Sequence, residues 1–152
     1  MVKVSQRFPQ SLQDDLLASC LAPGTILYLW RDYSQDPHNK YLVLACIKPF
    51  CLLFPINTDI PKFITRNHFE SSVIELSTDN YPFLDHTSYL NCHYVDDEFE
   101  FASLAGLVRS TSDCVKGKLN DQDLQKVISI VKSSETIIGK HKTAILSWLT
   151  TT

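Results

Sequence analysis

The residues best suited to chemistry lie in one stretch, which runs from Pro82 to Val95 and reads PFLDHTSYLNCHYV. From Thr87 onward, polar and apolar side chains alternate, which predicts a β-strand with two different faces. One face would enter a core and carry Ser88, Leu90, Cys92 and Tyr94. The other would line a wet cleft and carry Thr87, Tyr89, Asn91 and His93. The alternative is a half-exposed strand whose polar face meets only water.

Further acid–base and phosphate-binding side chains are spread over the first two thirds of the chain. They are Arg31, His38, Lys40, Asn57, Thr58 and His86. Together with His93, such groups can cut RNA without a metal, because attack of a 2′-hydroxyl on the adjacent phosphorus needs only a base, an acid and donors for the phosphate. Histidine is the natural proton carrier at neutral pH. Taken singly, however, each histidine is more often a surface or capping residue than a catalyst.

Other chemistries find little support in the residue spacing. The four glycines are unclustered, which argues against a phosphate-cradling loop. Cys46 and Cys51 are five residues apart and have no second pair near them, so we expect no zinc site and no other cofactor. Adjacent Cys92 and His93 should point to opposite sides of a strand, which disfavours a Cys–His nucleophile and makes Cys92 a small core residue.

Composition describes an ordinary globular protein. The 152 residues suffice for a single domain, 44% of them are hydrophobic, and the formal net charge is -3. A run of four acidic residues between Asp96 and Glu100 is either a solvated loop or a docking surface for a basic partner. Five cysteines without framework spacing indicate a reducing cytoplasm, and we expect no secretory signal and no membrane-spanning segment.

The order of the expected elements predicts a mainly β fold with helices, in the α+β class. An amphipathic helix is predicted at about 9–21, a Pro23-Gly24 turn follows, and strands fill most of about 23–110. Among them, Lys48-Pro49 marks a hairpin, and Phe99 to Arg109 is expected to form one or two strands. Asn120 is predicted to cap a helix, and a second helix is predicted from Ser133-Ser134 to the end at about 149. Such a chain suits a small antiparallel barrel that is covered by helices.

Five segments in this order resemble the PemK/MazF-like family of toxin–antitoxin ribonucleases. The segments PGTILYLW, NKYLVLACI and LLFPINT are similar to the family's first three strands. The segment DHTSYLNC is similar to a later strand, and KGKLNDQDLQKVISIV to the closing glycine, cap and helix. The resemblance implies an SH3-like barrel, usually a homodimer, that cleaves single-stranded RNA at specific sequences in the cytoplasm and is neutralised by a cognate antitoxin protein.

The resemblance and the residues together give a predicted site. Where the family usually has an arginine before its second strand, this chain has His38, Asn39 and Lys40, and Lys40 supplies charge without a bidentate fork. We therefore predict His93 as general base or acid, with His38 or His86 as its complement and Lys40 on the phosphate. The residues predicted to contact RNA are Arg31, Asn57, Thr58, Thr87, Tyr89 and Asn91. The missing arginine leaves two alternatives, a site rebuilt around histidine or an inactive one.

Two further functions compete with the ribonuclease. One is a non-catalytic SH3-like module that binds a peptide or protein through the same face. The other is a nucleic-acid-binding regulator without chemistry, which the negative net charge disfavours because sequence-independent affinity comes mainly from neutralising phosphates.

Overall fold

The fold is seen in a computed structural model that describes Leu12 and residues 21–31, 38–111 and 113–150. The helix predicted over about 9–21 lies almost wholly outside these residues. The described strands are β1 (Thr25–Arg31), β2 (His38–Cys46), β3 (Leu52–Asn57), β4 (Val73–Leu76), β5 (Ser88–Asn91) and β6 (Val115–Lys118). The described helices are α1 (Lys62–Arg66), α2 (Phe101–Ser110), α3 (Asp121–Ser133) and α4 (Gly139–Leu149), and a 3₁₀ turn spans Glu70–Ser72.

The six strands form one curled antiparallel sheet in the order β4-β5-β3-β2-β1-β6, which resembles half of a barrel. Ile26 stands opposite Val43 in the β1–β2 pair, and Val43 stands opposite Phe54 in the β2–β3 pair. The predicted hairpin at Lys48-Pro49 joins β2 to β3. The predicted α+β class, with an antiparallel sheet covered by helices, is thus confirmed.

Apolar side chains pack on both faces of the sheet, as expected for the apolar runs of β2 and β3. The first core contains Val43 and Phe54 and is closed by residues of α3 and α4, such as Val131 and Ile145. The second core contains Leu42 and Leu53, together with Leu104 of α2. Since neighbouring residues of one strand enter different cores, the central strands have no side dedicated to solvent.

The beginning of α3 agrees with the sequence in detail. The Asn120 side chain accepts a 2.7 Å hydrogen bond from the backbone N–H of Asp123, which makes Asn120 the N-cap. The Asp123 carboxylate is buried and accepts a 2.5 Å hydrogen bond from the Tyr81 hydroxyl. The Tyr81 hydroxyl also accepts from the Asn120 backbone N–H at 3.1 Å. This network joins the start of α3 to the loop that follows β4.

One predicted strand region and the start of one predicted helix differ from the structure. Phe99 to Arg109 was expected to be extended but contains α2, because Leu104, Ala105 and Val108 recur at helical spacing and turn one stripe to the second core. The second carboxyl-terminal helix begins at Gly139 rather than at Ser133-Ser134. There, the Ser134 hydroxyl accepts from the backbone N–H of Ile137 at 3.1 Å and stabilises a turn in place of a helix.

The strand predicted from Thr87 onward is shorter than its alternation suggested. Asn91 ends it, because its side-chain oxygen accepts a 2.9 Å hydrogen bond from the His93 backbone N–H, a local turn that competes with strand pairing. Ser88, Leu90 and Cys92 are buried as predicted. Tyr94 was expected in the core but is 44% exposed, and Asn91 was expected in a wet cleft but is 6% exposed.

Candidate active site

A cleft of about 440 Å³ opens where β2 begins and β3 ends. Four residues singled out in the sequence line it, although they come from three separate segments. They are Lys40 on β2, Asn57 and Thr58 at the end of β3, and His86 on the loop before β5. The cleft is possible here because β3 stops at Asn57 and the chain turns away toward Pro61.

Lys40 and Asn57 form the polar centre of the cleft. The Lys40 ammonium donates a 2.6 Å hydrogen bond to the Asn57 side-chain oxygen. The antiparallel β2–β3 register, in which Leu42 stands opposite Pro55, brings these two positions level with each other. A lysine ammonium carries a positive charge and three donor hydrogens, which are the features that bind an anion.

His86 also lines the cleft, from the loop before β5. Its side chain is exposed, and the Ser88 hydroxyl lies 3.5 Å from its Nδ1. The same hydroxyl donates a 3.1 Å hydrogen bond to the His86 backbone oxygen. The buried Ser88 thus fixes the loop from which the imidazole projects.

Two tyrosines that line the cleft, Tyr28 and Tyr41, form an aromatic row with Phe83. The rings of Tyr28 and Tyr41 are 4.4 Å apart, and those of Tyr41 and Phe83 are 5.5 Å apart. The Tyr41 hydroxyl donates to the Phe83 backbone oxygen at 3.1 Å. Burial, and then the neighbouring Tyr28 and Asp85, raise the pKa of Tyr41, so it stays a neutral donor at physiological pH.

The charges around the cleft are mixed. The Lys116 ammonium lies 5.9 Å from the centre of the Tyr28 ring and so places a cation next to one aromatic residue of the cleft. Asp59 and Asp85 also line the cleft and oppose a bound polyanion. A ligand must therefore place its negative charge near Lys40 and away from these carboxylates.

His93 does not line this cleft. Its ring stacks on Phe69 with a centroid distance of 4.3 Å and lies 5.7 Å from Phe63. Its Nδ1 is 3.3 Å from the Thr136 hydroxyl. Burial lowers the pKa of His93, which favours the neutral ring that this aromatic cluster suits.

The remaining predicted RNA-contacting residues lie along the neighbouring strands. Tyr89 is half-buried and stands opposite Asn57 in the β3–β5 pair, so it lies one strand away from the polar centre. Thr87 is half-buried just before β5. Arg31 and His38 stand opposite each other at the open end of the β1–β2 pair, and their side chains lie outside the described part of the structure.

Sequence reasoning missed the aromatic and acidic residues of the cleft, namely Tyr28, Tyr41, Asp59 and Asp85. A usable signal was present for the tyrosines. Residues alternate between the two faces of each of the first two strands. Pairing these strands in the observed register places Tyr28 opposite Tyr41. The two aspartates lie in loops, where no periodicity predicts their position.

The comparisons with known proteins identify no relative, because no protein-family model, curated protein or solved structure matches this chain. Among the described residues, no three His, Cys, Asp or Glu side chains gather in a way that could hold a metal ion. No helix in the described part of the chain is both long and apolar enough to cross a bilayer.

Proposed function

We propose that this chain is an endoribonuclease that cleaves single-stranded RNA in the cleft without a metal ion. The observation that supports this proposal is the meeting of Lys40, Asn57, Thr58 and His86 in one cleft. The resemblance to PemK/MazF-like proteins extends the proposal to a homodimeric toxin in the cytoplasm, where a cognate antitoxin covers the cleft.

The proposed reaction is an internal transfer at phosphorus. A base takes the proton of the 2′-hydroxyl, the 2′-oxygen bonds to phosphorus, and the bond to the 5′-oxygen breaks as an acid protonates that oxygen. The products are a 2′,3′-cyclic phosphate and a 5′-hydroxyl. Lys40 would stabilise the extra negative charge on the phosphoryl oxygens, and Asn57 and Thr58 would hold the phosphate by hydrogen bonds.

His86 is the proton carrier in this scheme, because it is the histidine whose described side chain lines the cleft. The second proton-transfer group would be His38, which begins β2 two residues before Lys40, or the nearby Asp85. His93 was the first choice from the sequence, but the proposal gives it a structural role because it belongs to the aromatic cluster with Phe69.

The proposal is tested with purified protein and labelled single-stranded RNA in the presence of a chelator. We expect His86→Ala to lower the cleavage rate roughly 100- to 10,000-fold, the range of a general acid or base. Lys40→Ala should lower it roughly 100-fold through loss of charge stabilisation. The matched control is His68→Asn, since His68 is exposed outside the cleft and has a positive φ of 58° that asparagine tolerates.

Cyclic-phosphate ends that disappear in His86→Ala and persist in His68→Asn are the expected result. Equal cleavage by wild type and His86→Ala would contradict the assignment of His86. If every RNA substrate stays intact, whether or not the protein binds it, the ribonuclease proposal is wrong.

A second candidate is a non-catalytic module that binds a basic peptide, and it is favoured by the two aspartates beside the tyrosines of the cleft. In that case Asp85→Asn should weaken binding of a lysine-rich peptide by roughly fivefold. RNA would remain intact, and His86→Ala would leave peptide binding unchanged.

A further inference from the structure

The outer edge of β4 has no neighbouring strand among the described residues, because β4 ends the sheet and pairs only with β5. The backbone oxygen of Ser72 accepts from the Cys92 N–H at 2.9 Å, and this bond fixes which positions face β5. In an antiparallel pair the facing positions alternate, so Val73 and Glu75 direct their backbone N–H and C=O groups to the outer edge. These groups are a template for another strand.

The opposite edge of the sheet is protected against such pairing. β6 is the other outermost strand, and its four residues include Lys116, Gly117 and Lys118. Lysines on an edge strand disfavour strand addition because an incoming strand would have to bury or displace their charge. β4 has the sequence VIEL and contains neither a lysine nor a proline.

A groove of about 620 Å³ runs between the β4 edge and α3, separate from the cleft at Lys40. Val73 and Glu75 contribute to one wall, while Gln122, Gln125, Lys126 and Ser129 of α3 contribute to the other. The Lys126 ammonium lies 3.6 Å from the Asp123 carboxylate of its own helix, which offsets its charge. A strand added beside β4 would thus lie next to polar side chains of α3. The four residues of β4 offer about 14 Å of edge at about 3.4 Å per residue.

Charge along this edge restricts the partner. Glu75 is exposed at the centre of β4, Glu70 is exposed in the turn before it, and Asp79 is exposed after it. A residue directly across from Glu75 on an added strand has its side chain on the same face as the carboxylate, and opposite charges in such cross-strand pairs are stabilising. A lysine or arginine suits that position.

We propose that the outer edge of β4 binds an extended peptide segment of a partner protein by strand addition, with a lysine or arginine across from Glu75. Backbone hydrogen bonds to Val73 and Glu75 provide the affinity, and the Glu75 carboxylate selects the basic residue. This interaction does not depend on the proposed ribonuclease activity, since the groove and the cleft share none of the residues that carry either argument.

The probe is a fluorescent peptide of alternating threonine and valine with one central lysine, and its binding to the purified full chain is followed by anisotropy. A second peptide has the same sequence with its backbone nitrogens methylated at alternate positions, so that it keeps every side chain but cannot complete the strand pairing. We expect N-methylation to weaken binding at least tenfold. Equal binding of the two peptides, or binding of neither, would overturn the proposal.

A charge reversal tests the selectivity. Glu75→Lys should weaken binding of the lysine peptide by about fivefold and strengthen binding of a matched glutamate peptide by a similar factor. Lys118→Glu, on the opposite edge, should leave both affinities unchanged. If the free protein instead self-associates in a sedimentation experiment and Glu75→Lys abolishes this self-association, the occupant is a second copy of the chain and the partner-peptide proposal is wrong.

Discussion

His93 illustrates how one contact determines the role of a titratable side chain. Its ring packs face to face against Phe69, with Phe63 nearby and the Thr136 hydroxyl at its edge. Protonation would place a charge against two hydrocarbon rings, and burial therefore lowers the pKa of this histidine. The fold favours the neutral imidazole, so protonation at low pH weakens the stacking of His93 on Phe69.

We predict that His93 makes the free energy of unfolding depend on pH. A histidine whose pKa is lower in the folded than in the unfolded chain stabilises the fold fully above its unfolded pKa, which is about 6.5. This contribution is lost as the pH falls through the lower folded pKa. His93→Phe keeps a ring against Phe69 but cannot titrate, so its stability should fall less than that of wild type between about pH 7.5 and about pH 5.

Urea denaturation at a series of pH values measures this difference. His68→Asn, which removes an exposed histidine outside this aromatic cluster, is the matched control variant. Parallel curves for wild type and His93→Phe would show that His93 does not titrate differently on folding.

At the scale of elements, α3 begins after Asn120, the N-cap that the sequence predicts. Asn120 accepts the Asp123 N–H, and Asp121 and Asp123 place negative charge in the first turn, where it meets the positive end of the helix dipole. The Tyr81 hydroxyl joins this end of the helix to the body of the protein through the buried Asp123 carboxylate. The start of α3 is thus fixed both locally and by a long-range contact.

We predict that Asn120→Ala lowers the free energy of unfolding by about 1 kcal/mol, the usual value for a lost N-cap. Thermal or urea denaturation of the whole chain measures this change. Asn120→Ser is the matched variant and should stay close to wild type, since a serine hydroxyl can accept the same N–H. If alanine and serine were equally stable, the cap would contribute nothing to the fold.

The elements that the sequence predicts well are those with a local cause. The strands from Thr25 to Asn57 follow from continuous apolar runs, and α3 follows from its cap and stripe. The errors arise where one side chain interrupts a pattern, as Asn91 does at the end of β5 and Ser134 does before α4. Such a hydrogen bond has no periodic signature, so alternation alone extends the strand too far.

The cleft was predictable to a similar extent. The chemistry of four side chains predicts them as site residues, namely Lys40, Asn57, Thr58 and His86, and the β2–β3 register brings the first two together. The alternation also predicts His93 as a site residue, because a longer β5 would place it on the same face as Tyr89. The turn at Asn91 directs the chain to Phe69 instead, and this change depends on a contact between segments that are distant in sequence.

At the scale of the whole molecule, the two cores enclose all of the described cysteines. Cys46, Cys51, Cys92 and Cys114 are free thiols, and none is more than 6% exposed. Burial raises the pKa of each of them, and that of Cys51 reaches about 12. Because the thiolate is the reactive form, we expect these side chains to react slowly in the folded protein.

We predict that these four thiols react with an aromatic disulfide reagent only when the chain opens. In a Cys20→Ser background, which leaves only the four described cysteines, labelling at neutral pH should be slow in buffer and complete within mixing time in strong urea. Counting the labelled thiols by mass spectrometry measures this protection. One rapidly modified cysteine in buffer would mean that its core is open in the native state.

The position of α3 and α4 after the strands they cover has a consequence during protein synthesis. Because the chain is made from its amino terminus, the strands from β1 to β3 exist before the residues that cover the first core. Until Asp121 to Leu149 are made, Val43, Phe54 and their neighbours present an apolar surface on the nascent chain. Chains truncated before Asp121 should therefore aggregate or bind chaperones, while a chain that includes α3 and α4 buries that surface as these helices dock.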